Sequence, residues 1–252
     1  MKLLNFNLRC ADDPDGHSIA ERAMRILDII NDYQPDICGF QEGVPAWEEE
    51  LEAMADRYDH YREYADVNQE FIDISWRKDR YELVGKSRFW LSPTPEVCSK
   101  GWYGGGFGIP RVCVQVSLRH KETGKVVHYY NSHFDGADRT ARESAMLIIH
   151  RAEELGRGEA VFCSADFNMT TYSPGWMAMR CFFKDVREEV APENKQGTLN
   201  IYQEVGEDMN KLIDFIFYTG KDVKAKSYEV ITRLYDGKFP SDHYGLIAEF
   251  DL

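Results

Sequence analysis

The stretch Ala160-Val161-Phe162-Cys163-Ser164-Ala165-Asp166-Phe167-Asn168 sets the reading of the whole chain. Its first four residues form a short apolar run, the pattern of a buried strand. An acid, an aromatic and an amide follow, so polar chemistry sits where the strand stops. The arrangement recurs along the sequence. Asn7 closes a strand over 2–8 that alternates, with Leu4, Phe6 and Leu8 on one face. Gln41-Glu42 follows the short apolar strand 37–40. Asn131-Ser132-His133-Phe134-Asp135 closes the strand 125–130. Asp214 interrupts the apolar run Leu212-Ile213-Asp214-Phe215-Ile216-Phe217, and Ser241-Asp242-His243 precedes a last strand at 244–250.

The segments between these points fix the fold class. Ser18-Ile19-Ala20-Glu21 is a capping box, in which serine and glutamate cover free amides at a helix start. The helix follows with Ile19, Ala23, Ile26, Leu27 and Ile30 on one face. Gln34-Pro35-Asp36 ends it. A second helix fits 46–55, and residues 57–65, 71–77 and 81–91 read as consecutive strands. A loop then runs from Ser92 to Pro110 and holds Gly101-Trp102-Tyr103-Gly104-Gly105-Gly106-Phe107-Gly108. Val112, Val114, Val116 and Leu118 alternate, and Thr123-Gly124 turns the chain into the next strand. A second capping box, Thr140-Ala141-Arg142-Glu143, predicts a helix to about Leu155, and 222–232 adds a strand. Many strands with three substantial helices predict an α/β sandwich: two packed, mostly antiparallel sheets flanked by helices. The absence of a composition break predicts a single domain over 1–252.

Composition narrows the function. Hydrophobic residues make up 43% and charged residues 29% of the 252-residue chain, as in a soluble globular protein. The apolar stretches are far too short for a membrane span. Met1-Lys2-Leu3-Leu4-Asn5-Phe6-Asn7 runs directly into a strand, with no leader pattern, which predicts the cytoplasm. The six cysteines are scattered and read as reduced core or near-core thiols. The net charge of −13 and the lack of a basic run disfavour nucleic acid as a partner, because affinity for a phosphate backbone comes from clustered lysine and arginine. No obligate protein partner is inferred.

The strand-end residues fit phosphate-ester hydrolysis. Hard oxygen ligands hold an ion such as Mg²⁺, which offsets charge on phosphate and activates water. A histidine oriented by a carboxylate serves as general base. Taken singly, a strand-end Asn or Asp is most often a turn former, but Asp214, set in an apolar run, has to be paired or exposed.

In their order, Gln41-Glu42, Asn131-Ser132-His133, Asp166-Phe167-Asn168, Ile213-Asp214-Phe215-Ile216 and Ser241-Asp242-His243 resemble the endonuclease/exonuclease/phosphatase superfamily, which has a deoxyribonuclease I-like fold. The resemblance spans Asn7 to His243 and looks closest to bacterial members known only as hydrolases. It implies Glu42 as principal metal ligand, with Asn7 close by and Asp242 as a second metal-associated carboxylate. It implies Asp166 and Asn168 as the pair that positions water and phosphate. It implies a dyad of Asp214 and His243, and His133 as a second active-site histidine. The roles of Asp166 and His243 as base are interchangeable on this basis. Glu70 resembles a glutamate that contacts the central histidine, and Arg111 reads either as a phosphate donor or as a cap on the strand after it. Asn131 and Trp102 complete the substrate-binding expectation, with Trp102–Phe107 as a lid, a stacking surface or an anchored surface loop. Departures are Ala165 in place of the usual glycine, and Ile74-Ser75-Trp76 in place of Ile-Phe-Tyr.

The expected activity is Mg²⁺-dependent hydrolysis of a phosphate mono- or diester by in-line attack of water, with one or two ions and Mn²⁺ or Ca²⁺ as substitutes. The substrate would be a small molecule, lipid headgroup, inositol phosphate or nucleotide. A nuclease using the same site is the first rival, and a non-catalytic binder of a phosphorylated partner the second.

Overall fold

The computed structural model describes residues 1–66, 70–102, 107–156 and 158–252. The first half carries β1 (Lys2–Asn7), α1 (Ile19–Tyr33), β2 (Ile37–Gly43), α2 (Pro45–Leu51), β3 (Tyr58–Tyr64), β4 (Phe71–Arg77) and β5 (Tyr81–Trp90). The second half carries β6 (Val112–His120), β7 (Val126–His133), α3 (Asp138–Glu154), β8 (Ala160–Asp166), α4 (Pro174–Arg180), β9 (Lys184–Asp185), α5 (Val186–Val190), β10 (Asp214–Thr219), β11 (Lys224–Ile231) and β12 (Gly245–Asp251). These strands form two six-stranded sheets, ordered β11-β12-β1-β2-β4-β3 and β5-β6-β7-β8-β10-β9. Each sheet contains one parallel pair, β1–β2 and β7–β8. Parallel neighbours need a long crossover, and α1 and α3 supply it.

Three apolar layers result. Leu3, Ile74, Val114, Phe162 and Leu246 belong to the core between the sheets. Leu4, Phe6, Ile26 and Trp47 pack β1 and its neighbours under α1 and α2. Cys163, Ala145, Ile148 and Phe217 pack the second sheet under α3 and α4. This is the four-layer sandwich expected from the sequence, and the expected capping box at Ser18 and Glu21 is present. The box expected at Thr140 is not. The helix starts earlier, with Ala137 as its N-cap and no side-chain cap bond. Thr140 is buried and donates instead to the Trp102 carbonyl. Two short helices, α4 and α5, were not anticipated; α4 opens on Ser173, whose side chain accepts from Trp176 N. Cys98 and Cys181 are exposed rather than near-core, and all six cysteines are free.

Strand periodicity decides where the chemistry points. Side chains alternate between faces, so with Leu4 and Phe6 toward α1, Asn5 and Asn7 face the other sheet. With Val161, Cys163 and Ala165 toward α3, Ser164 and Asp166 face inward. The same parity turns Asn131 and His133 of β7, and Asp214 of β10, into the inter-sheet layer. Glu42 would fall on the wrong face, but β2 has a register shift between Phe40 and Gly43, and Glu42 takes φ 58°. A bulge of this kind re-aims a side chain.

Buried amides then lock the sheets together. Asn131 Nδ2 of β7 donates to the Phe40 carbonyl at 3.0 Å and to the Asp73 carbonyl at 2.8 Å. Its oxygen accepts from Gln41 Nε2 at 2.6 Å, and Gln41 also donates to Asn5 Oδ1 at 2.9 Å. Ser164 Oγ donates to the same Asn5 oxygen at 2.7 Å. Gly39 admits this close approach: a Cβ there would lie 2.0 Å from the Tyr129 hydroxyl oxygen. Asn131→Ala would leave buried polar groups on β2 and β4 without a partner. At about 1–3 kcal/mol for each such group, the expected loss is about 3 kcal/mol, or roughly 6–12 °C in Tm. A thermal melt that falls by less than about 2 °C would contradict this role.

Candidate active site

Glu42, at the bulged end of β2, meets Asp166, at the end of β8, through one amide. Asn7 Nδ2 donates to Glu42 Oε1 and to Asp166 Oδ2, each at 2.9 Å. Its oxygen accepts from Arg9 N at 2.9 Å. Asn7, expected close to Glu42, bridges the two carboxylates. The Cys10 amide donates to Glu42 Oε2 at 3.0 Å.

Asp166 sits between two imidazoles. His133 Nε2 is 3.4 Å and His243 Nε2 3.7 Å from its Oδ2. His243 Nδ1 faces Asp214 Oδ2 at 2.9 Å, so the expected dyad is formed. Asn168 Nδ2 donates to the Phe134 carbonyl at 3.2 Å, which sets the direction of the amide. Its other hydrogen points at His133 Nε2, 2.9 Å away. His133 Nδ1 faces Glu70 Oε2 at 3.2 Å. Arg111 donates to the same Glu70 oxygen at 3.0 Å and approaches Nδ1 to 2.8 Å.

Charge in this space is high. Burial pushes the Glu42 carboxyl up, but His133, the Asn7 and Cys10 amides and His243 outweigh it and hold it at about 2. Burial is likewise overruled at Glu70, which its hydrogen bond to His133 keeps below the usual range. Asp166 and Asp242 shift the other way. Burial raises both, and Asp214 adds to the rise at Asp166 while Glu42 adds to it at Asp242. Burial alone would lower His243, yet Asp214 and Asp166 hold its imidazolium up to about 10. Such crowding of carboxylates calls for a cation. Glu42, His133 and Asp166 offer ligand atoms within 4.8 Å of one another, two carboxylate oxygens and an imidazole nitrogen that can hold a divalent ion. Asp242 adds a half-buried carboxylate near Glu42.

These groups open onto one cavity of about 300 Å³, lined by Glu42, Glu70, Arg111, His133, Asp166, Asn168 and His243. Two expected substrate-binding residues lie elsewhere. Asn131 is fully buried with its amide committed to the sheets. Trp102 packs, partly buried, against the apolar layer under α3. Of the aromatic loop, residues 103–106 lie outside the described residues, and Phe107 lines the cavity in place of Trp102.

Several contributors were not foreseen as site residues. Arg9, Cys10, Ile109, Leu199 and Ile213 also line the cavity. Thr198, from a segment without a pattern, braces the dyad. Its Oγ1 accepts from Ile213 N at 3.1 Å and from Asp214 N at 3.2 Å, and its carbonyl accepts from Tyr244 N at 2.8 Å. Beside it, Asn200 N and Ile201 N donate to the Asp242 carbonyl. Three site residues, Arg9, Glu42 and Asn168, hold positive φ without being glycine, strain of a kind that gathers at functional sites.

None of the curated protein sequences matches the chain. Solved structures do. A mannosyl-6-phosphatase of Bacteroides thetaiotaomicron is 28% identical, with a TM-score of 0.87 over 100% of both chains. An endonuclease/exonuclease/phosphatase family protein from the same organism is 28% identical, with a TM-score of 0.88 over 100% of this chain and 98% of that one. D. rerio TDP2, solved with a single-strand DNA product, is 18% identical, with a TM-score of 0.80 over 100% and 99% of the two chains, and shares the fold. The model of the endonuclease/exonuclease/phosphatase family matches residues 4–243. That span takes in the strand ends that feed the cavity, and the chain belongs to this family of phosphate-ester hydrolases.

Proposed function

We propose that the protein is a divalent-metal-dependent phosphatase acting on the monoester of a small molecule, with Mg²⁺ as the ion. The observation that carries this reading is the single cavity of about 300 Å³ in which the carboxylates, both histidines and Arg111 converge. That volume is at the low end for ligand pockets and favours a compact substrate. The two cavity arginines are already paired, Arg9 with Asp13 and Arg111 with Glu70. With a net charge of −13, these features support a small phosphate ester over a nucleic acid. The resemblance to a mannosyl-6-phosphatase points the same way and suggests a sugar phosphate.

Glu42 would hold the ion together with Asp166, whose carboxylate lies within ligand distance of it, and Asp242 would add a further carboxylate near Glu42. A bound divalent ion would offset charge on the phosphate oxygens and lower the pKa of water. Asp166, fixed by Asn7 and by the Asn168 amide, takes the proton from the attacking water. His243, steered by Asp214, presents Nε2 toward the phosphate. His133, once protonated, would set a positive charge beside the negative charge that develops on its oxygens, with the Asn168 amide against the same imidazole.

Chelation is expected to abolish turnover of phosphomonoesters, with Mg²⁺ restoring it, and Glu42→Gln to lower kcat/KM by at least about 100-fold. Equal activity with and without chelator would overturn the metal assignment. Asp214→Asn is expected to lower kcat by about 10²–10⁴-fold, because His243 loses the partner that orients it. Thr198→Val should reduce kcat with little change in KM, while Thr198→Ser, which keeps the acceptor, recovers most of it. Equal loss in both variants would remove Thr198 as a positioning residue.

A further inference from the structure

The catalytic cavity is also lined by four apolar residues, Phe107, Ile109, Leu199 and Ile213. Phe107 is 64% exposed, a large ring left facing water beside the charged groups. Its position is nevertheless anchored. Its backbone amide donates to Asp135 Oδ1 at 2.7 Å, and Asp135 is itself buried. Its ring centre lies 5.8 Å from the Arg111 guanidinium. A Cβ built on Gly136 would lie 3.7 Å from Phe107 Cε2 and 3.6 Å from Asn168 Cβ, so the ring and Asn168 both flank Gly136. Arg111 and Asn168 both touch His133. The ring therefore borders the corner where His133 and Asn168 would receive a phosphate.

Resting on the phosphatase reading above, we infer that Phe107 is a specificity-determining residue that stacks on the ring of a phosphorylated ring alcohol. An aromatic face is negative and meets the positive C–H edges of a sugar, or lies flat on a nucleobase. The aliphatic residues Ile109, Leu199 and Ile213 complete a surface that gives a second charged group on the substrate no partner. Phe107 distinguishes ring-bearing esters from acyclic ones.

The test compares kcat/KM for a hexose 6-phosphate, a nucleoside 5′-monophosphate and glycerol phosphate, in the wild type and in Phe107→Ala, Phe107→Tyr and Phe107→Trp. The wild type is expected to prefer a ring ester. Phe107→Ala should lower that preference over glycerol phosphate by about tenfold, through KM, and Tyr or Trp should retain it. Whichever ring ester loses most identifies the source of the ring. Equal losses on all three esters, no loss on any, or a wild-type preference for glycerol phosphate would overturn the inference. Absence of turnover on every phosphate ester tried would overturn the phosphatase reading itself, and the inference with it.

Discussion

The Asn131 carboxamide joins the two sheets at the depth where apolar packing gives way to chemistry. From β7 it reaches the Phe40 and Asp73 carbonyls and the Gln41 amide of the opposite sheet. Apolar contacts between sheets are tolerant of sliding, because they have no direction. Buried hydrogen bonds are not, since a shift of one residue leaves each group unpaired at about 1–3 kcal/mol. The amides thus fix one sheet against the other. Above them, Asn7 repeats the device at the rim, where it spans Glu42 of one sheet and Asp166 of the other. The distance between the strand that carries Glu42 and the strand that carries Asp166 is set by amides rather than by loops.

That register permits a concentration of charge that burial alone would oppose. Asp166 and Asp214 are cross-strand partners on β8 and β10, and both are almost fully buried. Like charges facing each other across a ladder are destabilising. His243 lies against both, and its raised proton affinity reflects their combined field. Glu42, Glu70 and Asp242 add further negative charge around the same cavity. The strain at Arg9, Glu42 and Asn168 belongs to the same balance. The fold holds backbone and charge in costly states where a cation and a phosphate would meet them.

Much of this was legible in the sequence. Period-2 alternation in Leu3-Leu4-Asn5-Phe6-Asn7 and the apolar run ending in Asp166 give both the strands and the face on which their polar residues lie. The ordered strand-end motifs singled out Glu42, His133, Asp166, Asn168, Asp214 and His243, which the structure brings together, although Glu42 reaches the cavity only through a bulge that alternation does not foresee. Asn131 was misread because a strand-end amide looks alike whether it faces a ligand or the other sheet; only the position of β2 and β4 separates the two. For Trp102 the anchored-loop reading holds over the stacking one, since Thr140 fastens its backbone while its ring packs under α3. Thr198 and Leu199 lie in irregular chain, where no period links a residue to a face. Their placement comes from long-range bonds to Lys211, Asp214 and Tyr244.

The central claim is that water, activated at Asp166 beside the Glu42 cation site, attacks phosphorus. Hydrolysis of a phosphomonoester in water enriched in oxygen-18, with Mg²⁺ present, tests it most directly. The account predicts that the heavy oxygen appears in the released inorganic phosphate and that Asp166→Asn suppresses its appearance. Heavy oxygen in the released alcohol would place the bond cleavage at carbon and contradict the account.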